Sequence, residues 1–136
     1  MPEPSRGRNV WLIDRRGYWR EPFSRALRDA GYGVVAFDDY ALPAKLDELP
    51  DLAVIACTAV TAAEIALVKS MADRGHYILA LVATLAPRAM RGLFRAGAYD
   101  VTDMPVQEKD FVTLVEMALE DSSTCREHQA AALAGL

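Results

Sequence analysis

Residues Asp51-Leu52-Ala53-Val54-Ile55-Ala56 place five apolar residues in a row behind a single acid. A run this short and this apolar reads as a strand buried on both faces, the kind found inside a parallel sheet. Four further stretches read the same way. Asn9 to Ile13 (NVWLI) is closed by Asp14, and Gly33 to Phe37 (GVVAF) is closed by Asp38 and Asp39. Tyr77 to Ala83 (YILALVA) and the short Asp100 to Met104 complete the set.

Between these runs the apolar period changes to that of helices. Phe23, Leu27 and Ala30 form one helical face, with Pro22 suited to a first turn and Gly31 to a stop. Leu42, Leu46 and Leu49 give a short second helix behind Pro43. Thr61 and Glu64 have the spacing of a capping box, opening a third helix that runs to about Arg74 and stops at Gly75. Pro87 opens a fourth, carrying Met90, Leu93 and Phe94 and closed by Gly97. Phe111, Leu114, Val115 and Ala118 mark the apolar face of the fifth. Five strands alternating with five helices imply a doubly wound α/β domain, because parallel strands need crossover connections.

Composition narrows the classes. With 136 residues, 52% of them hydrophobic, the chain can bury one core without disulfides. No apolar run approaches the roughly 18 residues of a membrane-spanning helix, and the polar start lacks a signal-peptide core, so a soluble cytoplasmic protein is expected. A net charge of −4 argues against direct nucleic-acid binding, which requires clustered Lys and Arg. Cys57 and Cys125 stand far apart with no CxxC spacing, and are expected to be free thiols.

Four motifs then stand in register: VWLID, GYGVVAFDD, PDLAVIA and AGAYDVTDMPV, the last spanning Ala96 to Val106. Together they resemble the response-regulator receiver domains of two-component signalling, from about residue 9 to residue 121. The resemblance implies a flavodoxin-like (βα)5 fold with strand order 2-1-3-4-5, with residues 1–8 as a disordered lead and 122–136 as a linker or helical tail. Its functional crevice lies where the carboxyl ends of strands 1 and 3 converge.

In that family the crevice holds two acids after strand 1, an acceptor aspartate after strand 3, a Thr or Ser after strand 4 and a Lys after strand 5. Carried onto this chain, the first acid is Asp14 and the second falls on Arg15. The acceptor falls on Ala56 and the lysine on Met104. The hydroxyl position is either Thr84 or the apolar Val82, and the aromatic of strand 5 is replaced by Val101. One carboxylate alone is a poor Mg²⁺ site, so metal binding is expected to be weak or absent and no cofactor is implied. The resemblance thus implies a degenerate pseudo-receiver: a non-enzymatic, phosphorylation-independent module acting on a signalling partner or an attached output domain.

Other readings stay open beside it. Arg15 can pair with Asp14, or Arg15 and Arg16 can form a solvated pair; alternation along a strand allows only one of them into the crevice. Arg16, Tyr18, Trp19 and Arg20 have the composition of an anion clamp, the basis of an alternative function as a nucleotide or anion sensor. The plainer reading packs Trp19 near Phe23 and leaves the arginines in water. Cys57 should face away from Ala56 and be inert, and His76 and His128 are expected to face solvent. Arg88, Arg91 and Arg95 on the fourth helix, with Asp100, Asp103, Glu108, Glu116 and Glu120 beyond it, could form a self-complementary dimer face of the kind the family uses.

Overall fold

Six consecutive residues, Leu52 to Cys57, are buried, which only a strand covered on both faces and flanked on both edges can achieve. In the computed structural model, which describes residues 8–41, 49–105 and 107–134 and the side chains of these as far as 122, that strand is β3 (Leu52–Cys57). It pairs in parallel with β1 (Asn9–Ile13) and with β4 (Ile78–Val82). β2 (Gly33–Phe37) adds outside β1, and β5 (Asp100–Asp103) outside β4. The order is β2-β1-β3-β4-β5, the arrangement expected from the sequence.

Strand alternation divides the core in two. Val10, Leu12, Val54 and Leu81 meet α1 (Arg20–Asp29) and α4 (Glu108–Ala134) through Phe23, Leu27, Phe111, Val115 and Leu119. Phe23 and Phe111 stack at 4.0 Å in this layer. Trp11, Ile13, Ile55 and Ala80 face the other way, toward α2 (Ala62–Asp73) and α3 (Pro87–Ala96), which contribute Leu67, Val68, Met71 and Leu93.

Helix ends follow the residues that predict them. Thr61 and Glu64 complete both halves of the capping box that starts α2. Pro87 occupies the first turn of α3, and Gly97 closes that helix at φ 117°. A Cβ at Gly97 would stand 2.5 Å from Ala72 Cβ, so both the backbone angle and the packing demand glycine. α1 begins at Arg20, with Pro22 in its first turn, where a missing N–H costs nothing. The helix expected behind Pro43 falls on residues 42–48, outside the described residues. α4 runs without a break through Ser122, the expected start of the tail; Ser122 is buried and its hydroxyl donates to the Asp51 carbonyl at 3.5 Å. No helix among the described residues is long and apolar enough to cross a membrane.

Candidate functional site

β1 and β3 are neighbours whose crossovers leave in opposite directions, so a crevice opens at their carboxyl ends. A cavity of about 160 Å³ lies there, with Ala56, Thr58 and Glu64 on one wall and Arg15, Arg16 and Tyr40 on the other.

Asp14, the first residue after β1, is fully buried. Its carboxylate accepts from the backbone amides of Gly17 at 3.0 Å, Trp19 at 2.7 Å and Arg20 at 3.0 Å. The last two amides belong to the start of α1, where Trp19 has no side chain able to cap. Asp14 therefore caps the helix from a distance, satisfying donors that the helix itself leaves unpaired. Gly17 makes the tight return at φ 82°.

Arg15 does not pair with Asp14. Its side chain is still 46% exposed, and its guanidinium lies 4.5 Å over the Tyr40 ring and 3.9 Å from Glu64 Oε2. The cause is occupancy, since the Asp14 oxygens already hold three amides. Arg16 lines the same cavity, against the expectation that only one of the two arginines would enter it. β1 ends at Ile13, so strand alternation no longer governs residues 15 and 16.

Glu64 is the crevice residue that the carry-over of motifs missed. It is buried and held on every side: Oε1 accepts from the Thr61 amide at 2.6 Å and from the Thr61 hydroxyl, and Oε2 accepts from the Tyr40 hydroxyl at 2.6 Å. Burial pushes its carboxyl up, but the hydrogen bonds from Thr61 and Tyr40 outweigh burial and bring it below the ordinary carboxylate range. Tyr40 responds in the opposite sense, raised by its own burial and by the adjacent carboxylate. The capping box at Thr61 was the signal: it places an acid one turn into α2, directly beyond the strand end at which Ala56 sits.

Ala56 is 1% exposed and packs with the α1–α4 layer, while Cys57 packs on the opposite side, as alternation requires. Burial, then Glu64 and Asp14, push the Cys57 thiol up to about 12, which leaves it protonated and unreactive at neutral pH. Met104 packs against the α1–α4 layer and its amide donates to the Val82 carbonyl at 2.9 Å. Neither Thr84 nor Val82 lines the cavity: Thr84 is exposed beyond the end of β4 and Val82 is buried within it. The donor set does not fit Mg²⁺. The oxygens of Asp14 are engaged by amides, and Glu64 is bridged by a cation and a phenol where a metal would need free carboxylate.

The proposed anion clamp is not assembled. Trp19 packs on the α1–α4 layer, Tyr18 is exposed in an edge-on contact with Trp19 at 5.6 Å between ring centroids, and Arg20 donates to the Asp14 carbonyl at 3.3 Å. Arg88, Arg91 and Arg95 are exposed on α3, and among the described residues no ion pair joins them to Asp100, Asp103 or Glu116. His76 is not solvent-facing as expected. It is 7% exposed, its ring lies 5.2 Å from that of Trp11, and neither ring nitrogen has a partner among the described residues. The turn at Gly75 (φ 92°) carries the chain into β4 with this side chain pointing inward. His128 lies beyond the described side chains.

No family model matches the chain, and no curated protein matches it. Solved structures do. A CheY-like response regulator receiver domain protein from Methanospirillum hungatei JF-1 superposes with a TM-score of 0.75 at 15% identity, covering 86% of this chain and 97% of that one. NtrX from Brucella abortus, in complex with ADP, gives 0.75 at 21% identity over 90% of this chain, which spans only 28% of NtrX. Full-length FixJ from B. japonicum gives 0.72 at 21% identity, covering 94% of this chain and 65% of FixJ. With its parallel sheet of order β2-β1-β3-β4-β5, the chain has the fold of the response-regulator receiver domains.

Proposed function

We propose that this chain is a receiver-like signalling module that works through protein contacts and accepts no phosphoryl group. One observation carries the reading: at the crevice the acceptor position is the buried methyl of Ala56, and the carboxylate that lines the same cavity, Glu64, is already held by Arg15, Tyr40 and Thr61. A phosphoryl acceptor needs a free nucleophilic oxygen, and its product needs a cation to offset new negative charge. The crevice supplies the cation but engages it internally. Met104, at the position of the family lysine, adds a thioether to the core instead of a charge. The output is then a binding event, whether the partner is a separate cytoplasmic protein or a domain attached to the same chain.

Incubation with acetyl phosphate and Mg²⁺ tests this. Intact mass should show no phosphoryl adduct, and Trp fluorescence should not respond to Mg²⁺ with or without beryllofluoride. A stoichiometric acyl phosphate would overturn the reading.

The sensor reading is weaker. At about 160 Å³ the crevice cavity is smaller than the roughly 300 Å³ at which small-molecule sites begin, and Glu64 in its wall opposes an anion. A thermal-shift panel of nucleotides separates the two, since a ligand at about 100 times its Kd stabilises by roughly 2.7 kcal/mol.

A further inference from the structure

α2 and α3 approach closely because Gly92 has no side chain: a Cβ there would come within 3.1 Å of Ile65 Cδ1. Beside this contact lies a second cavity, of about 420 Å³, walled by Val60, Ala62 and Ile65 on one side and by Ala86, Ala89 and Gly92 on the other. Its lining is aliphatic and its volume is within the range that accepts several buried side chains.

Arg88 stands on the rim of this groove. Arg91 and Arg95 follow at spacings of three and four, so at about 100° per residue the three arginines share an arc of about 60°. Arg88 and Arg95 lie about 40° and 60° from Gly92 on the groove wall, and Arg91 lies further round the helix. α3 contains no acidic residue, and none of the three arginines has an ion-pair partner among the described residues. A positive row thus edges an apolar groove on a chain whose net charge is −4.

We propose that this groove docks an acidic amphipathic helix of a partner protein. Its apolar side chains fill the space between α2 and α3, and its carboxylates meet Arg88 and Arg95. The walls are helix side chains and offer no open strand edge, which favours a helix over an extended segment. A nucleic acid would satisfy the arginines but leave the aliphatic walls uncovered. Thr61 lines both this groove and the crevice, so the bound helix would touch the residue that caps α2 and holds Glu64. The inference rests on reading the chain as a protein-contact module, yet it concerns a different face, and the phosphodonor result does not bear on it.

The test is fluorescence anisotropy of the whole chain with a labelled model helix of about five turns, leucine at alternating three- and four-residue spacing and glutamate elsewhere. A second peptide carries lysine for every glutamate. The acidic peptide should bind at least tenfold more tightly, with amide shifts mapping to Val60, Ile65 and Gly92. Ala89→Leu, which fills the groove, and the surface variant Arg88→Glu/Arg95→Glu should each weaken it tenfold or more. Thermal melts confirm folding; if Ala89→Leu fails to fold, the charge variant decides. No binding, equal binding of both peptides, shifts that map elsewhere, displacement by a DNA oligomer, or a self-association that Ala89→Leu abolishes would each overturn the proposal.

Discussion

The Tyr40 hydroxyl donates to Glu64 Oε2 at 2.6 Å, joining the loop after β2 to the first turn of α2. Arg15 completes the arrangement from the loop after β1, so three crossover loops are tied together by one carboxylate. Tyr40→Phe should destabilise the fold by about 1 kcal/mol, and Glu64→Gln by about 1–2 kcal/mol because it also weakens the capping box. The double variant should lose less than the sum of the two, and urea denaturation of all four proteins measures that coupling. Strict additivity would show that the contact contributes nothing.

Asp14 should matter more to stability than to any chemistry. Asp14→Ala leaves three amides without their acceptor, and a cost of about 3 kcal/mol or more is expected, with Asp14→Asn intermediate. Loss of helix signal from α1, read by amide exchange at Trp19 and Arg20, should accompany it.

Under the proposed function, placing an acid at position 56 should not produce a phosphorylatable receiver. Ala56→Asp would place a carboxylate at a 1%-exposed position near Asp14 and Glu64, with Arg15 committed elsewhere, and should destabilise by roughly 1–3 kcal/mol. It should also take no phosphoryl group from acetyl phosphate. Phosphorylation of the single variant at high yield would show that Arg15 and Met104 are no obstacle.

Acid should weaken the fold in two windows. Burial, then the charge of Arg74, hold the His76 imidazole below its ordinary value, so the unfolded chain takes up its proton first. The stability this site contributes is complete above about pH 6.5 and declines as pH falls below it. Glu64 is also held below its ordinary value, so its contribution is complete above about pH 4.3 and disappears at lower pH. Urea midpoints between pH 8 and about pH 2.5 should show both declines, and His76→Leu should remove only the first.

The strands were legible in the sequence because β1, β2, β3 and β4 are apolar runs bounded by acids or turns and alternate with helical periods; their order came from the four motifs that resemble receiver domains. Thr61 and Glu64 were legible as a capping box for the same reason: three-residue spacing is local information. The second role of Glu64 was not. It depends on Arg15, 49 positions earlier, and on Tyr40, 24 positions earlier, and only the closed sheet brings those loops together. His76 was misread because burial of a polar residue at a strand entrance is decided by the Trp11 ring across the sheet.

The capping role of Asp14 bears on how such sequences are read. An acid after the first strand is commonly taken as half of a metal site, but here the folding of α1 alone is sufficient reason to keep it. The start of α1 would hold this aspartate whether or not the crevice carries phosphoryl chemistry. Its presence therefore does not distinguish an active receiver from a silent one, and the residues at positions 15, 56 and 104 carry that distinction.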